Sequence, residues 1–363
     1  MSAPFEILGT DHVGLIVGNA KQAAVYYQER FGFEPVAYKG LETGCRDRTC
    51  WVLKQGKITL VLETPMTRDH PGNAHLAKHG DAVRDLAFLV DDARKAWETT
   101  TSRGAVSVHE PLELEDEHGR VVVATIATYG DTLHSFVQRD GYEGPFMPGY
   151  EARSSNKPTV SAGLEFIDHV VGNQGDQEME KVAKFYEDVF GFHRIWTVDD
   201  KDVSTAHTSL RSVVVANENE YVKMPINEPA EGLKKSQIQE YVEANYGPGV
   251  QHVALYTHDI VSTISQLAAN GVDFLQVPDT YYESLSARVG DIDEDVAELQ
   301  KFGILVDRDD QGYLLQLFSK PVQDRPTLFY EIIERKGARS FGKGNFKALF
   351  ESMEREQELR GNL

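Results

Sequence analysis

The sequence has only two cysteines and no long apolar run. Cys45 and Cys50 are too few for a disulfide framework and too oddly spaced for a thiolate zinc site. No stretch approaches the roughly 18 uninterrupted apolar residues of a membrane span, and the first thirty residues lack an apolar leader segment. We therefore expect a cytoplasmic protein, and any metal in it should be held by histidine and carboxylate side chains.

Positive charge is also scarce. Lys and Arg number 37 against 57 Asp and Glu, giving a formal net charge of −20 that repels phosphate backbones and anionic lipids. Nucleic acid and membrane surfaces are therefore not expected as partners. The hydrophobic content of 41% is that of an ordinary globular protein, and 363 residues suit two domains better than one.

An internal repeat organises the chain. The tripeptide DHV at 11–13 returns at 168–170, where each copy opens an apolar run. A helical stretch with one apolar face follows in both copies and ends at FGF, at 31–33 and again at 190–192. The glycine of each FGF stands where a helix C-cap is expected.

A second pair of segments, 80–88 and 247–255, repeats in the same order, and each half closes with a strand hairpin. Each half is therefore read as a pair of βαβββ modules. The segment between the halves is polar and unpatterned, which is typical of a linker. The prediction is an α+β fold made of two similar halves: residues 1–150, a linker at 151–160, and residues 161–363.

The two copies differ where chemistry could be held. Matched strand positions of the second half carry His169, His252 and Glu331, the two imidazoles and one carboxylate that non-haem Fe(II) oxygenases use. The matching residues of the first half are read as His12, Asp85 and Phe136. Because a phenylalanine cannot ligate a metal, the first half is predicted to be a scaffold without metal and the second half to be catalytic.

Each ligand has a plainer interpretation. A histidine that follows an aspartate at a strand start is more often a surface or hydrogen-bonded residue than a ligand. Glu331 is harder to explain in that way, because its neighbours Tyr330 and Ile332 are apolar and a buried carboxylate costs several kcal/mol unless it is paired or bound to a cation. A metal therefore accounts best for the set.

Six motifs give the chain a specific resemblance. They are DH at 168–169, PINEP at 225–229, GVQHVA at 249–254, LQLF at 315–318, FYEIIER at 329–335 and FGKGNFKALF at 341–350. In this order the sequence resembles the vicinal oxygen chelate superfamily, and its second half resembles the 4-hydroxyphenylpyruvate dioxygenase family within it. The resemblance covers nearly the whole chain.

This resemblance implies a fold, a cofactor and a reaction. Each half would form a curved, barrel-like mixed sheet with helices outside, and a C-terminal gating helix would follow a glycine-rich hinge. One Fe(II) per chain, bound by His169, His252 and Glu331, would serve the conversion of 4-hydroxyphenylpyruvate and O2 to homogentisate and CO2 in tyrosine breakdown. A homo-oligomer is also expected.

The resemblance also assigns residues around the substrate. Polar side chains with a catalytic role would be Ser212, Asn227, Gln237, Gln251 and Gln316. Substrate-binding side chains would be Pro225, Phe318, Phe341, Asn345 and Phe346. Gln251 directly precedes His252, so strand alternation turns it to the opposite face unless the strand bends.

Two other functions stay open at this point. A 4-hydroxymandelate synthase would share the fold, the ligands and the substrate but would hydroxylate the benzylic carbon, and Pro225 and Asn227 favour the dioxygenase over it. A non-catalytic binding member of the superfamily would have no need of all three metal ligands.

Overall fold

The computed structural model describes residues 4–155, 157, 159–198, 209–230, 232 and 234–362. The elements of the first half are β1 Ile7–Ile16, α1 Ala20–Phe31, β2 Glu34–Lys39, β3 Arg48–Gln55, β4 Ile58–Pro65, α2 Gly72–His79, β5 Ala82–Val90, α3 Ala93–Ser102, β6 Ser107–Asp116, β7 Gly119–Ala127 and β8 Leu133–Asp140. A short strand β9, Glu151–Ala152, lies at the start of the segment predicted as a linker and pairs with β2.

The elements of the second half follow a similar order with added helices. They are β10 Leu164–Asn173, α4 Met179–Phe185 with a π-helical turn at Tyr186–Phe190, β11 His193–Val198, β12 Ser209–Ala216, β13 Lys223–Ala230, α5 Gln237–Ala244, β14 Gly249–Thr257, α6 Ile260–Ala269, α7 Thr280–Glu283, α8 Leu285–Val289, α9 Val296–Phe302, β15 Leu305–Asp309, β16 Gly312–Phe318, β17 Phe329–Lys336 and α10 Phe346–Arg360.

The two halves form two mixed sheets with the same internal order. Within the described residues, the first sheet runs β6-β7-β8-β5-β1-β4-β3-β2-β9, and the second runs β11-β12-β13-β10-β14-β17-β16-β15. Read backwards, the second order repeats the first, and each half consists of two βαβββ modules as the repeat predicts. The expected curled mixed sheets with helices outside are confirmed, and the helix α10 follows the last strand.

Local sequence explains where the repeated helix stops and starts. The side chain of Asn19 accepts a hydrogen bond from the backbone N–H of Gln22 and so caps α1. Gly32 then ends the helix in a left-handed conformation with φ of 77°, and Gly191 does the same for the matching helix with φ of 75°. The FGF repeat therefore marks the helix ends, as predicted.

One apolar core joins the halves. It includes Phe31 and Leu60 of the first half together with Tyr330 and Ile332 of the second. The amide oxygen of Gln55 also accepts hydrogen bonds from the backbone of Ala162 and Leu164, at 2.8 and 3.2 Å. The strands of the second half are therefore held in place partly by the first.

Helix α10 covers one side of the second sheet. Its buried side chains Leu349, Phe350 and Met353 share a cluster with Phe318 and Phe329 of the sheet. None of the helices that the structure describes is long and apolar enough to cross a membrane.

Candidate metal centre

Three adjacent strands bring the predicted metal ligands together. The antiparallel pairing of β10 with β14 places His169 opposite Ala254, and the parallel pairing of β14 with β17 places Ala254 opposite Glu331. His252 lies two residues before Ala254 and therefore on the same face. The small Ala254 in the middle of the row leaves space above it, into which the three longer side chains converge.

The ligand atoms of His169, His252 and Glu331 all lie within 4.8 Å of one another. The Oε2 atom of Glu331 is 3.2 Å from Nε2 of His169 and 3.3 Å from Nε2 of His252. All three side chains are buried. Among the described residues, no other group of three metal-ligating side chains meets this closely. This group is the set named from the sequence.

Two bulges orient the histidines. The register of β10 and β14 skips Asp168 and Gln251, the residues directly before the two ligands. A bulge bends the strand and redirects a side chain, so each preceding side chain reaches its neighbour's ring. Asp168 Oδ1 lies 2.7 Å from Nδ1 of His169, and Gln251 Oε1 lies 3.1 Å from Nδ1 of His252.

These contacts fix which nitrogen faces the metal position. A carboxylate or amide oxygen accepts, so each Nδ1 carries the proton and donates it, and each Nε2 is left as a lone-pair ligand. The bend at Gln251 is the exception to strand alternation that the sequence left open: the side chain stays on the side of His252, and its Nε2 donates to Gln237 Oε1 at 3.3 Å.

Asp168 is itself held by a buried guanidinium. Arg335 donates to both carboxylate oxygens of Asp168 at 2.8 Å. Burial alone would raise the pKa of Asp168, but Arg335 and His169 outweigh it and hold that pKa well below its usual range. His169 therefore has an ionised partner, whereas His252 has a neutral one.

Glu331 is poised to bind a cation. Burial raises its pKa, but His169 and then His252 more than offset this and lower the pKa of Glu331 to about 2. With both Nδ1 protons directed elsewhere, two imidazole lone pairs and a carboxylate would face one another across about 3 Å. Such a cluster needs positive charge, from a proton or from a metal, and two imidazoles plus one carboxylate suit a divalent transition metal.

Aromatic side chains fix the rings from behind. His252 stacks on Phe329 with ring centroids 4.8 Å apart and meets the edge of Phe318 at 5.9 Å. Phe341 packs edge-on against His169 at 5.2 Å and lies over the Arg335 guanidinium at 5.3 Å. These contacts restrict the rotation of both histidine rings.

The three ligands form one wall of a small cavity of about 50 Å³, below the few hundred Å³ of typical small-molecule sites. The other sequence-predicted residues that line it are Ser212, Pro225, Asn227, Gln237, Gln251, Gln316, Phe318, Phe341 and Phe346. Ser212 and Asn227 face each other across β12 and β13. Gln316 is buried, and its Oε1 has no partner among the described residues, as expected of a group that a polar ligand would satisfy.

Asn345 is the one predicted residue that the structure does not bring to the cavity wall. Its Oδ1 accepts a 2.7 Å hydrogen bond from the hydroxyl of Tyr281, and its side chain lies beneath the start of α10. The sequence reading also missed several apolar wall residues, which look like ordinary core positions in the sequence: Val171, Trp196, Leu210, Phe329, Leu349, Phe350 and Met353.

The first half repeats this arrangement with one correction to the matched residues. His12 pairs with Ala87 as His169 pairs with Ala254. The parallel pairing of β5 with β8 joins Phe88 to Phe136, so Ala87 lies opposite Ser135. The assignment of Phe136 to the position of Glu331 is therefore wrong by one residue, and Ser135 is the counterpart of the carboxylate.

Asp85 has no need of a cation. The Ser135 hydroxyl donates to Asp85 at 2.6 Å, and the Ser135 backbone N–H donates at 3.0 Å. The concave face nearby is filled by Phe146 and Met147, which pack with Val61 and Ala87. Phe146 covers His12 at a ring distance of 5.3 Å. The space that is a cavity in the second half is thus occupied in the first.

Comparison with known proteins places this geometry in a family. The family described as "Hydroxyphenylpyruvate dioxygenase, HPPD, N-terminal" matches residues 2–146, and the "Glyoxalase/Bleomycin resistance protein/Dioxygenase superfamily" matches residues 166–317. A triple mutant of 4-hydroxymandelate synthase from Streptomyces coelicolor has a similar solved structure, with a TM-score of 0.87, 30% identity, and coverage of 97% of this chain and 99% of that one.

Similar curated proteins share one name. The 4-hydroxyphenylpyruvate dioxygenase of Dictyostelium discoideum is 51% identical over 98% of this chain and 100% of its own length. Those of Danio rerio and Yarrowia lipolytica are 50% and 49% identical over 99% and 98% of this chain, and each is covered over 93% of its length. With half of its residues identical along nearly its full length, the chain belongs to the 4-hydroxyphenylpyruvate dioxygenase family.

Proposed function

We propose that this chain converts 4-hydroxyphenylpyruvate and O2 to homogentisate and CO2 with one Fe(II) held by His169, His252 and Glu331. Family membership makes the chain a dioxygenase. The observation that carries the proposal is the convergence of the three ligand atoms within 4.8 Å on the wall of a buried cavity. Two histidines and one carboxylate are typical ligands of non-haem Fe(II), which supports iron as the metal.

Held by these three residues, such a metal would supply the Lewis-acid and redox chemistry that the reaction of a 2-oxo acid with O2 requires. None of the described residues that line the cavity is Lys or Arg, so the metal would have to bind the carboxylate of the substrate. The charges then balance: Glu331 and the substrate carboxylate together neutralise a divalent cation. Without a metal, an anionic substrate would enter a cavity whose described lining holds no lysine or arginine to pair with its carboxylate.

The remaining wall suits a phenol ring. Phe318, Phe341 and Phe346 provide apolar surface on which the ring would pack. Asn227 and Gln237 are the proposed hydrogen-bonding partners of the phenol hydroxyl, and Gln251 would position Gln237 through their mutual contact. Gln316, with its free Oε1, and Ser212 complete the proposed polar contacts.

Helix α10 would act as the lid of the cavity. Phe346, Leu349 and Met353 line the cavity from the helix side, and the Ser352 hydroxyl ties the helix to the backbone of Gln276 at 2.8 Å. A closed lid excludes water and strengthens the polar contacts inside. The metal-free first half would serve as a scaffold. A homo-oligomer and a cytoplasmic location stay predictions from the sequence.

The test is iron binding by matched variants of the two halves. His169→Ala, His252→Ala and Glu331→Ala should each lose iron after anaerobic loading and desalting, because each removes one ligand. His12→Ala, Asp85→Ala and Ser135→Ala change the corresponding positions of the first half and should keep wild-type iron content. Full iron retention by a variant in the first set would remove that residue from the site, and iron loss in the second set would overturn the assignment of the catalytic half.

A further inference from the structure

Two tyrosine hydroxyls meet at the boundary between the halves. The Tyr330 hydroxyl donates to the Tyr27 hydroxyl of α1 at 2.9 Å, and the rings meet edge to face at 5.9 Å. Both side chains are buried, at 1% and 5% exposure. Tyr330 immediately precedes Glu331 on β17, so its ring lies on the other face of the strand from the metal ligand.

The opposite side of the molecule carries the corresponding contact. Tyr186 stands four residues before the phenylalanine of its FGF motif, as Tyr27 does before Phe31, and its hydroxyl lies 2.7 Å from Nε2 of His134 on β8. His134 Nδ1 lies 2.9 Å from the Leu86 carbonyl and must donate there, so Nε2 accepts from Tyr186. Both side chains have 0% exposure.

These two contacts occupy equivalent positions in the repeat. Each half sends a helix tyrosine to the residue that precedes the ligand position on the last strand of the other half. The strand reached by Tyr27 carries Glu331, whereas the strand reached by Tyr186 carries Ser135, which holds no metal in our account. The tyrosine contact between the halves is therefore a feature of the fold. Only the contact made by Tyr27 reaches a residue next to a metal ligand.

We infer that Tyr27 is a positioning residue for the metal site of the other half, holding Glu331 in place through Tyr330. The inference rests on the proposed metal site. It assigns the metal-free half an indirect part in metal binding.

The surroundings of Tyr330 show how a change at Tyr27 would reach Glu331. The Tyr330 backbone N–H is bound by the Ser319 hydroxyl at 2.9 Å, and its ring packs on Phe31 at 5.0 Å. A buried tyrosine hydroxyl that loses its partner is costly, so we expect the strand to shift or open to satisfy it. The next residue on that strand is the carboxylate ligand, whose Oε2 lies 3.2 and 3.3 Å from the histidine nitrogens.

The experiment compares Tyr27→Phe with Tyr186→Phe. Each variant removes one hydroxyl and leaves a buried partner unsatisfied, Tyr330 or His134. Tyr186→Phe also removes the contact of that hydroxyl with the part-buried Thr128 hydroxyl at 3.2 Å, and only Tyr27→Phe touches the strand of Glu331. Co(II) serves as the spectroscopic probe, titrated into the metal-free full-length protein, and amide hydrogen exchange of Phe329–Lys336 is followed in the same metal-free samples. Tyr27→Phe should weaken Co(II) binding by roughly 3- to 10-fold, below the 10- to 100-fold typical of partners that touch a ligand directly, and should speed exchange in this strand.

Tyr186→Phe should leave Co(II) affinity within about 2-fold of wild type and should speed exchange in Leu133–Asp140 instead. The double variant Tyr27→Phe/Tyr330→Phe removes both hydroxyls, so it should recover most of the lost affinity. Equal Co(II) affinity in Tyr27→Phe and wild type, or equal losses in the two single variants, would overturn the inference. Wild-type protein that binds no Co(II) would instead overturn the metal site, while the exchange comparison would still decide whether Tyr27 holds the strand.

Discussion

Loss of the guanidinium behind His169 should destabilise the protein and weaken the metal site, and the repeat supplies its own control. Arg335 grips Asp168 with two hydrogen bonds of 2.8 Å. In the first half, Arg139 grips Asp11 in the same way at 2.7 and 2.9 Å, and Asp11 contacts His12 as Asp168 contacts His169. Replacing either arginine by methionine keeps most of the side-chain volume and removes the cation that is hydrogen-bonded to the buried aspartate, while Lys223 Nζ stays 3.9 Å from Asp168.

Breaking a buried ion pair from one side costs about 3–5 kcal/mol. The Arg335 and Asp168 side chains are 13% and 2% exposed, so Arg335→Met should fall within that range. Arg139 is 22% exposed, and water can partly replace it, so Arg139→Met should fall near the lower end, at about 3 kcal/mol. Only Arg335→Met should also weaken metal binding, by about 10-fold or more, because only Asp168 orients a ligand.

The pH dependence of the Arg335→Met effect follows from the pKa of Asp168. Arg335 holds that pKa below its value of about 3.9 in the unfolded chain. A depressed carboxyl pKa stabilises the fold above the unfolded value, and this contribution is lost as pH falls toward the folded value. In the variant, burial raises the pKa of Asp168, so acid relieves its unpaired charge. The stability difference between wild type and Arg335→Met should therefore be larger at pH 7 than at pH 4.

Urea unfolding of the metal-free proteins at both pH values measures the free energy of unfolding, and Co(II) titration measures the metal affinity. The double variant Asp168→Asn/Arg335→Met removes both charges and should regain part of the lost stability. Wild-type metal affinity in Arg335→Met would refute the orienting role of Asp168. A metal loss of equal size in Arg139→Met would show that the effect is global rather than local.

Three further outcomes test the cavity and its lid. A chain ending at Lys343 lacks helix α10, so water should reach the cavity. This chain should still bind Co(II) but yield less homogentisate per O2 consumed. Wild-type yield in an oxygen-electrode assay would contradict the role of α10 as a lid. Gly342→Ala should destabilise the protein more than Gly361→Ala in urea unfolding. Both glycines have φ near +75°, but only a Cβ at Gly342 would collide with Gln316. Equal losses of about 1–2 kcal/mol in the free energy of unfolding would show that backbone strain alone acts. Gln251→Ala should raise the Co(II) dissociation constant about 10-fold by releasing the His252 ring, whereas Gln316→Ala should leave this constant unchanged. Equal effects of the two variants on Co(II) binding would place Gln251 among the substrate contacts only.

The sequence predicts the fold well because the repeat is itself structural information. Two copies of DHV and FGF in the same order fix the strand and helix boundaries, and the matched histidines fall on equivalent strand positions. Glu331 could be named because a carboxylate within an apolar strand is costly unless something binds it.

Register and long-range contacts could not be predicted in this way. The mistaken choice of Phe136 over Ser135 is a slip of one residue, and alternating strand patterns do not fix pairing to better than that without the partner strand. The bend that keeps Gln251 on the side of His252 is a bulge, which the sequence does not announce. The hydroxyl pair of Tyr27 and Tyr330 joins residues about 300 positions apart and is visible only in the folded chain.

Product regiochemistry tests the central claim most directly. A synthase with the same ligands would consume the same substrate and O2, so oxygen uptake does not separate the two functions, and a shift of about 1 Å in the ring position can decide between ring and benzylic hydroxylation. The full-length protein, loaded anaerobically with Fe(II), is given 4-hydroxyphenylpyruvate and air, and the products are separated by chromatography. Homogentisate as the main product is the result that our account predicts. Mainly 4-hydroxymandelate, or no turnover with iron fully bound, would contradict it.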